Sequence, residues 1–339
     1  MSDNGHPTEP SPILAVRSLS THFDLGHAVV RAVDNIDFTV GTGEILGLVG
    51  ESGSGKTMAG LSILGLIEPP GRIVGGSVLF DGRDLTQLSD ADMRRVRGSK
   101  ICMVFQDPLT TLSPTMRIGK QMRNVIAAHQ KVTKRDARVR CRDALGKLGI
   151  PSPDERLDAY PHELSGGMRQ RVCIAMAMLN EPNLIIADEP TTALDVTTQA
   201  QILEEIKALR ARTGTAFIWV THDLAVVSEL ADRLIVMYSG QIVEEGETAS
   251  VLDAPRHPYT QGLLRSIPAY NREARRLPQI SGFAPIPGDV VPGCKFGPRC
   301  AFAQPRCHEA PALVSAPTGR AVRCFFPLDE RSAQTGTTG

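Results

Sequence analysis

The stretch Glu44–Gly50 (EILGLVG), followed directly by ESGSGKT, constrains this chain more than any other feature. A short apolar run ending in glycine, then a glycine-rich turn, then an apolar stretch from Lys56 to Leu66 reads as strand, tight loop and helix. Gly50, Glu51, Ser52, Gly53, Ser54, Gly55, Lys56 and Thr57 fit the pattern G-x-x-x-x-G-K-[ST], in the strand-to-helix setting that gives the pattern meaning. Glycines let successive backbone N–H groups turn inward around an anion, and the helix N-terminus adds partial positive charge. Lys56 is then expected to reach the β- and γ-phosphates of a nucleotide, and the Thr57 hydroxyl to ligate Mg²⁺. The bland alternative is a glycine-rich turn with an exposed lysine; the satisfied context argues against it.

Three further apolar runs read as buried parallel strands: Asn183–Asp188 (NLIIAD), Ala216–Thr221 (AFIWVT) and Arg233–Tyr238 (RLIVMY). Between the first two, Val196–Arg212 carries Ile202, Leu203, Ile206 and Leu209 at helical spacing. This alternation implies an α/β nucleotide-binding core. From Asp107 to about Asn180 the rhythm breaks into charged, helix-favouring sequence such as Lys134–Leu148, which predicts a helical insert. After about Pro255 the texture changes to Pro, Gly and Cys with little periodicity, marking a C-terminal module.

Leu184–Ala187 drive a strand into the core and deliver Asp188 and Glu189 at its C-terminal end, where ligands of open parallel sheets bind. Asp188 is expected to hold Mg²⁺ through its water shell, and Glu189 to polarise the attacking water. Adjacent acids that merely cap the next turn are the competing reading, since Pro190 stops the strand at once. The phosphate loop upstream favours the catalytic one.

Between these two motifs lies Leu164-Ser165-Gly166-Gly167-Met168-Arg169-Gln170-Arg171, and with it the sequence strongly resembles the ABC transporter ATPase family over about residues 14–246. Gln106 in VFQDP resembles the Q-loop glutamine, Ala193-Leu194-Asp195 the D-loop, and His222 in VTHDL the switch histidine. Phe23 stands where the family places an aromatic that stacks on adenine, although a phenylalanine at a strand end is often core. The resemblance implies a P-loop NTPase core with an antiparallel β subdomain and an inserted helical subdomain, plus a small Cys-rich C-terminal module. It implies that Glu189, His222 and Gln106 serve catalysis, with Thr57, Gln106 and Asp188 around Mg²⁺. Ser165, Gly166, Gly167 and Met168 precede a helix and so make a second anion-receptive N-terminus. In the family that segment completes the ATP site of a second subunit, with Asp195 in the D-loop nearby.

His257-Pro258-Tyr259-Thr260, Pro287-Gly288-Asp289 and Gly293-Cys-Lys-Phe-Gly-Pro-Arg-Cys300 resemble the extension of oligopeptide and dipeptide importer ATPases, as do YPHELSGG and TTALDVTTQAQI. The expected division is a disordered tail over 1–12, an ATPase domain over 13–255 with its helical subdomain about 107–180, and the extension over 256–339. The resemblance implies an extracytoplasmic solute-binding protein, two membrane permease subunits and a second ATPase subunit, related in sequence. Relatives of that group also carry nickel chelates, glutathione and opines.

Cys294, Cys300, Cys307 and Cys324 follow C-x5-C-x6-C-x16-C, while Cys102, Cys141 and Cys173 are scattered. In a reducing compartment clustered thiols suggest a metal before disulfides. Zinc sites usually contain a C-x2-4-C pair, absent from this set, whereas an iron–sulfur cluster tolerates wider spacing because its ligands attach to different irons. The spacing leaves a cluster, Zn²⁺ and buried free thiols open; the resemblance implies a [4Fe–4S] cluster with a structural role. His308, beside Cys307, reads as an exposed polar residue rather than a ligand.

Formal net charge is zero, with 37 basic and 37 acidic residues, so there is no long-range field for nucleic acid or anionic lipid. No apolar run approaches the roughly 18–20 residues that cross a bilayer, and Met1–Pro12 lacks the make-up of a signal peptide. The expectation is a peripheral protein on the cytoplasmic face of the membrane, held there by permeases. Two other classes remain: a soluble ABC ATPase of DNA repair or the ribosome, and a transport ATPase whose C-terminal module senses redox state. The former usually carries long coiled-coil insertions or two cassettes in one chain, and neither occurs in this sequence.

Overall fold

In the computed structural model, residues 11–192, 194–267, 279–285, 288–289, 291–317 and 319–329 are described. Most of the expected N-terminal tail lies outside them. The order begins β1 (Leu14–Asp24), β2 (Val29–Val40), β3 (Ile45–Val49), α1 (Lys56–Ile63), β4 (Gly71–Phe80), β5 (Arg83–Asp84), α2 (Asp90–Val96) and β6 (Ile101–Val104). Five helices follow: α3 (Pro108–Thr111), α4 (Ile118–Ala127), α5 (Lys134–Lys147), α6 (Pro153–Asp158) and α7 (Gly166–Met178). Then come β7 (Leu184–Asp188), α8 (Val196–Thr213), β8 (Ala216–Thr221), α9 (Leu224–Leu230), β9 (Arg233–Tyr238) and β10 (Gln241–Glu247). The chain closes with α10 (Thr248–Asp253), α11 (Pro258–Arg265), β11 (Val314–Ser315) and β12 (Ala321–Val322).

Two compact units interleave along the chain. Among the described residues, one takes in those up to Ala15, Phe38–Glu44 and Val78–Ile218; the other takes in Val16–Asp37, Ile45–Ser77 and those from Trp219 onward. In the first, β6 and β7 pair in parallel, from Ile101 opposite Leu184 to Val104 opposite Ala187, and β8 is the next neighbour of β7. Every residue of β7 is buried, as its unbroken apolar run requires of a strand covered on both faces. Between β6 and β7 the elements are helical. Ile118, Met122 and Ile126 of α4, and Ala137, Cys141 and Leu145 of α5, are buried at a spacing of four, so each helix turns one stripe inward. Thr133 caps α5 by accepting from the Asp136 N–H at 3.1 Å.

In the second unit β3 and β9 pair in parallel, Leu46 opposite Arg233 through Val49 opposite Val236. Antiparallel strands then extend the sheet: β10 on β9, β12 on β10, and β11 on β12. β10 shifts register against β9 between Ile242 and Glu244, and on its other side the Val243 carbonyl accepts from the Arg323 N–H at 2.8 Å. The segment after 255, expected to stand apart, thus shares its unit with the phosphate loop and contributes two strands to that unit's sheet. A buried carboxylate fastens it: Glu244 accepts from the N–H groups of Arg256 and His257 at 2.8 and 2.9 Å and from Arg320 at 2.8 Å. Burial pushes the His257 imidazole down to about 3, so it is neutral, and its Nδ1 accepts from the Tyr259 N–H.

Candidate functional site

The second unit holds the loop Gly50–Thr57, expected to cradle phosphate. β3 is buried throughout, and the chain leaves it through Gly50 at φ 152° and enters α1 through Gly55 at φ 104°. Both glycines are required: a Cβ on Gly50 would strike the Met237 carbonyl oxygen, and one on Gly55 the Ala32 carbonyl oxygen. Lys56 opens α1 and is 5% exposed. Its Nζ donates to the Gly50 and Glu51 carbonyls at 2.8 and 2.9 Å, so the cation is held against the loop's own backbone. Ser54 is buried, Ser52 and Gly53 are exposed, and Thr57 is half-buried at the helix start. An anion here would meet the N-terminal N–H groups of α1 with the ammonium alongside.

Sequence reasoning missed what holds this loop. The Tyr259 hydroxyl accepts from the Glu51 N–H at 2.7 Å, and Arg299 grips the Glu51 carboxylate with both Nη atoms at 2.6 and 3.0 Å. That carboxylate drives the Arg299 pKa above its already high value. HPYT and GPRC were visible as motifs, but nothing local in them points to Glu51, 208 and 248 residues away.

The first unit brings Gln106 and Glu189 together. They follow the C-terminal ends of neighbouring parallel strands, and Gln106 Nε2 donates to Glu189 Oε2 at 3.4 Å. Thr192 Oγ1 donates to the same oxygen at 2.9 Å. Glu189 adopts φ 45°, a left-handed conformation that costs a non-glycine residue of order 1–3 kcal/mol. Asp188, the last residue of β7, is 2% exposed.

The same unit carries the start of α7. Ser165 caps the helix by accepting from the Met168 N–H at 3.2 Å; Ser165 and Gly166 are exposed, and a Cβ on Gly166 would meet nothing. Gly167 faces Leu194, whose side chain would lie 3.2 Å from a Cβ there, so the glycine segment and the Leu194–Asp195 turn lie side by side. Asp195 caps α8 through the Thr198 N–H at 2.9 Å and Oγ1 at 2.8 Å, and these bonds hold its carboxyl below the usual range. Ala193 lies outside the described residues.

Two expected ligand contacts are placed in the second unit. His222 is exposed directly after β8, and Asp223 caps α9 beside it by accepting from the Ala225 N–H. Phe23 is half-buried on β1, its ring edge packed against Gly71.

Cys294, Cys300, Cys307 and Cys324 are all free thiols and line one small cavity with Phe296, Phe302 and His257. Burial pushes the Cys294, Cys300 and Cys324 thiols up, the last to about 11, and is opposed by backbone N–H groups hydrogen-bonded to their sulfurs: from Phe296 and Gly297 to Cys294, Phe302 to Cys300, and Phe326 to Cys324. Among the described residues no group of three or more His, Cys, Asp or Glu side chains is close enough to hold a metal ion. The expected metal centre is therefore not borne out as a compact ligand group, and the zinc alternative finds none. His308 is exposed. Cys102, Cys141 and Cys173 are buried, their thiols raised by burial to about 12, 11 and 12. Among the described residues no helix is long and apolar enough to cross a membrane.

Residues 33–192 match the family model "ABC transporter", and residues 243–307 match "Oligopeptide/dipeptide transporter, C-terminal region". The dipeptide transport ATP-binding protein DppD of Escherichia coli (strain K12) is 47% identical over 324 residues, 95% of this chain and 99% of that protein. The oligopeptide transport ATP-binding protein AppD of Bacillus subtilis (strain 168) is 45% identical, over 96% of this chain and 100% of that protein. Among solved structures, the dimeric post-hydrolysis state of the ATP-binding cassette MJ0796, bound to ADP and Pi, superposes with a TM-score of 0.64 at 27% identity, over 69% of this chain and 98% of that one.

Proposed function

The chain belongs to the ABC transporter ATP-binding family, whose cassettes hydrolyse ATP, and we propose that it drives an importer that takes up dipeptides or oligopeptides through partner permeases. The match of residues 243–307 to the oligopeptide/dipeptide C-terminal region carries the cargo reading, together with peptide-transport relatives that span nearly the whole chain. Nickel chelates, glutathione or opines are the other cargoes in reach. The same premise supports two permeases, a second ATPase subunit and an extracytoplasmic solute-binding protein as partners, with the chain peripheral on the cytoplasmic face.

In this reading the loop Gly50–Thr57 and the start of α1 cradle the ATP phosphates, Lys56 leaves the Gly50 and Glu51 carbonyls for the β- and γ-phosphates, and Phe23 supports adenine. Thr57 hydroxyl, Gln106 amide oxygen and Asp188 carboxylate are hard oxygen donors suited to Mg²⁺, which keeps several waters and needs few protein ligands. Bound there, the cation would neutralise charge on the phosphates. Glu189, hydrogen-bonded by Gln106 and Thr192, orients and takes a proton from the attacking water. His222 donates to the γ-phosphate. The bared N-terminus of α7, Ser165 to Met168, serves a nucleotide held by the partner ATPase, with Asp195 beside that interface.

A [4Fe–4S] cluster on Cys294, Cys300, Cys307 and Cys324 belongs to the same proposal. The single cavity shared by the four thiols and the N–H groups aimed at three of the sulfurs support it, since such hydrogen bonds stabilise metal-bound thiolates. When bound it would staple a loop-rich segment. Iron and acid-labile sulfide in anaerobically purified protein are the expected result; a colourless protein with one zinc per chain rejects the cluster.

Reconstitution tests the function as a whole. ATP turnover should rise when the chain is mixed with its partner ATPase and permeases, and rise further with peptide-loaded binding protein. Equal turnover by the isolated monomer would sink the shared-site reading. Stimulation by a nickel chelate or glutathione and not by peptides would replace the cargo.

A further inference from the structure

Glu51 is an odd residue to find in a loop that receives phosphate, because a carboxylate there repels the ligand. Its surroundings cancel that charge. Both Nη atoms of Arg299 reach the Glu51 carboxylate, and the arginine side chain is 6% exposed against 31% for the glutamate. A two-pronged pair of this kind fixes direction as well as charge. Arg299 is itself fixed: Nε donates to the Ser281 carbonyl at 3.1 Å, and the guanidinium lies 5.8 Å from the centre of the Tyr238 ring.

The aromatic side chains around this pair come from the C-terminal segment and the end of β9. Tyr238, Tyr259 and Phe296 pack with ring centroids 4.7–5.3 Å apart. Tyr259 holds the Glu51 N–H, and Phe296 leads into the short turn Gly297–Arg299 between Cys294 and Cys300. Nearby, Lys295 Nζ donates to Asp34 at 2.8 Å and to the Ser239 carbonyl at 2.8 Å, while the next residue, Gly240, donates its N–H to the Ser54 carbonyl at 2.9 Å. Glu51 is therefore held at three points. Its N–H is on Tyr259, its carboxylate on Arg299, and its carbonyl receives Lys56.

We propose that Arg299 is a positioning residue for nucleotide binding, acting through Glu51. It neutralises the loop's carboxylate and sets the Gly50–Glu51 backbone on which Lys56 rests, so the Cys-rich segment is a working part of the ATP site. The proposal rests on the reading of this loop as that site. It is independent of the cargo and of any metal at the four thiols.

A fluorescent ATP analogue with Mg²⁺, titrated into the full chain, tests it. Arg299→Gln should weaken binding by roughly ten- to a hundredfold, the range for losing a charge-assisted contact. Arg299→Lys should recover part of that loss, because it keeps the charge but not the fork. The double variant Glu51→Gln/Arg299→Gln should bind well above the product of the two single losses, because both singles break one pair. Arg306→Gln disturbs the same segment, where Arg306 stacks 4.4 Å over Phe325, and should leave affinity within twofold. In the assembled complex Arg299→Gln should raise KM for ATP by a larger factor than it lowers kcat. Unchanged affinity in Arg299→Gln overturns the proposal, as does an equal loss in Arg306→Gln or strict additivity in the double variant. Should Arg299→Gln fail to fold, Arg299→Lys decides: a several-fold weakening supports the proposal and unchanged affinity overturns it. A wild-type chain that binds no nucleotide sinks the function above, whereas wild-type binding with Arg299→Gln unchanged sinks only this inference.

Discussion

The starts of α1 and α7 are both helix N-termini preceded by glycine or serine, and both are proposed to meet phosphate, yet they are built in opposite ways. At α1 the cap is Gly55 in a left-handed conformation, the first helical residue is a buried lysine, and the loop before it threads between the Met237 and Ala32 carbonyls and under Tyr259 and Arg299. At α7 the Ser165 side chain provides the cap, Ser165 and Gly166 are exposed, and a Cβ on Gly166 would meet nothing. The first is a loop enclosed by residues of its own unit. The second leaves Ser165 and Gly166 exposed, which suits the proposal that its ligand arrives on another molecule.

Four variants break or sharpen this contrast. The largest effect is expected from Glu189→Gln, which removes the proposed proton acceptor and should lower hydrolysis in the assembled complex by about 10²–10⁴-fold. Nucleotide binding should persist; steady-state hydrolysis at the wild-type rate would remove Glu189 from its role. Gly50→Ala should come next, because the new Cβ strikes backbone rather than a side chain that can yield. A loss of about 3 kcal/mol in denaturant unfolding is expected, and an unchanged midpoint would mean the loop is not fixed as described.

Lys56→Ala removes a charged donor and should weaken ATP binding by about 2 kcal/mol, roughly thirtyfold, read by equilibrium titration. Thermal unfolding without nucleotide should move less than it does for Gly50→Ala. Gly166→Ala is the smallest: open space and a helical position predict a change within about 0.5–1 kcal/mol, on the stabilising side. A destabilisation as large as that of Gly50→Ala would show that the two N-termini are equally enclosed and erase the distinction.

How far the sequence could be read varied with the distance over which each feature was set. The runs of β7, β8 and β9 were recognisable because a strand buried on both faces must be apolar at every position, and β8 and β9 begin and end where the pattern does. The apolar stretch after the phosphate loop predicts a helix to Leu66, but the helix ends at Ile63, because Gly65 at φ 60° turns the chain out of it. The acids after β7 and the glutamine after β6 could be named from their motifs. That Gln106 reaches Glu189 depends on β6 and β7 being parallel neighbours, which no local pattern encodes.

The C-terminal segment was the least legible. Its Pro, Gly and Cys content suggested an appendage, whereas β11 and β12 add to the sheet that carries the phosphate loop, and the segment's anchors are single side chains. The sequence by itself determined the phosphate loop, because a run of eight residues contains all the backbone freedom and the one cation that a phosphate cradle needs. Only the tertiary structure decided what becomes of Glu51. Its partners Tyr259 and Arg299 stand 208 and 248 residues away and meet it because the sheet and the aromatic cluster of Tyr238, Tyr259 and Phe296 bring them there.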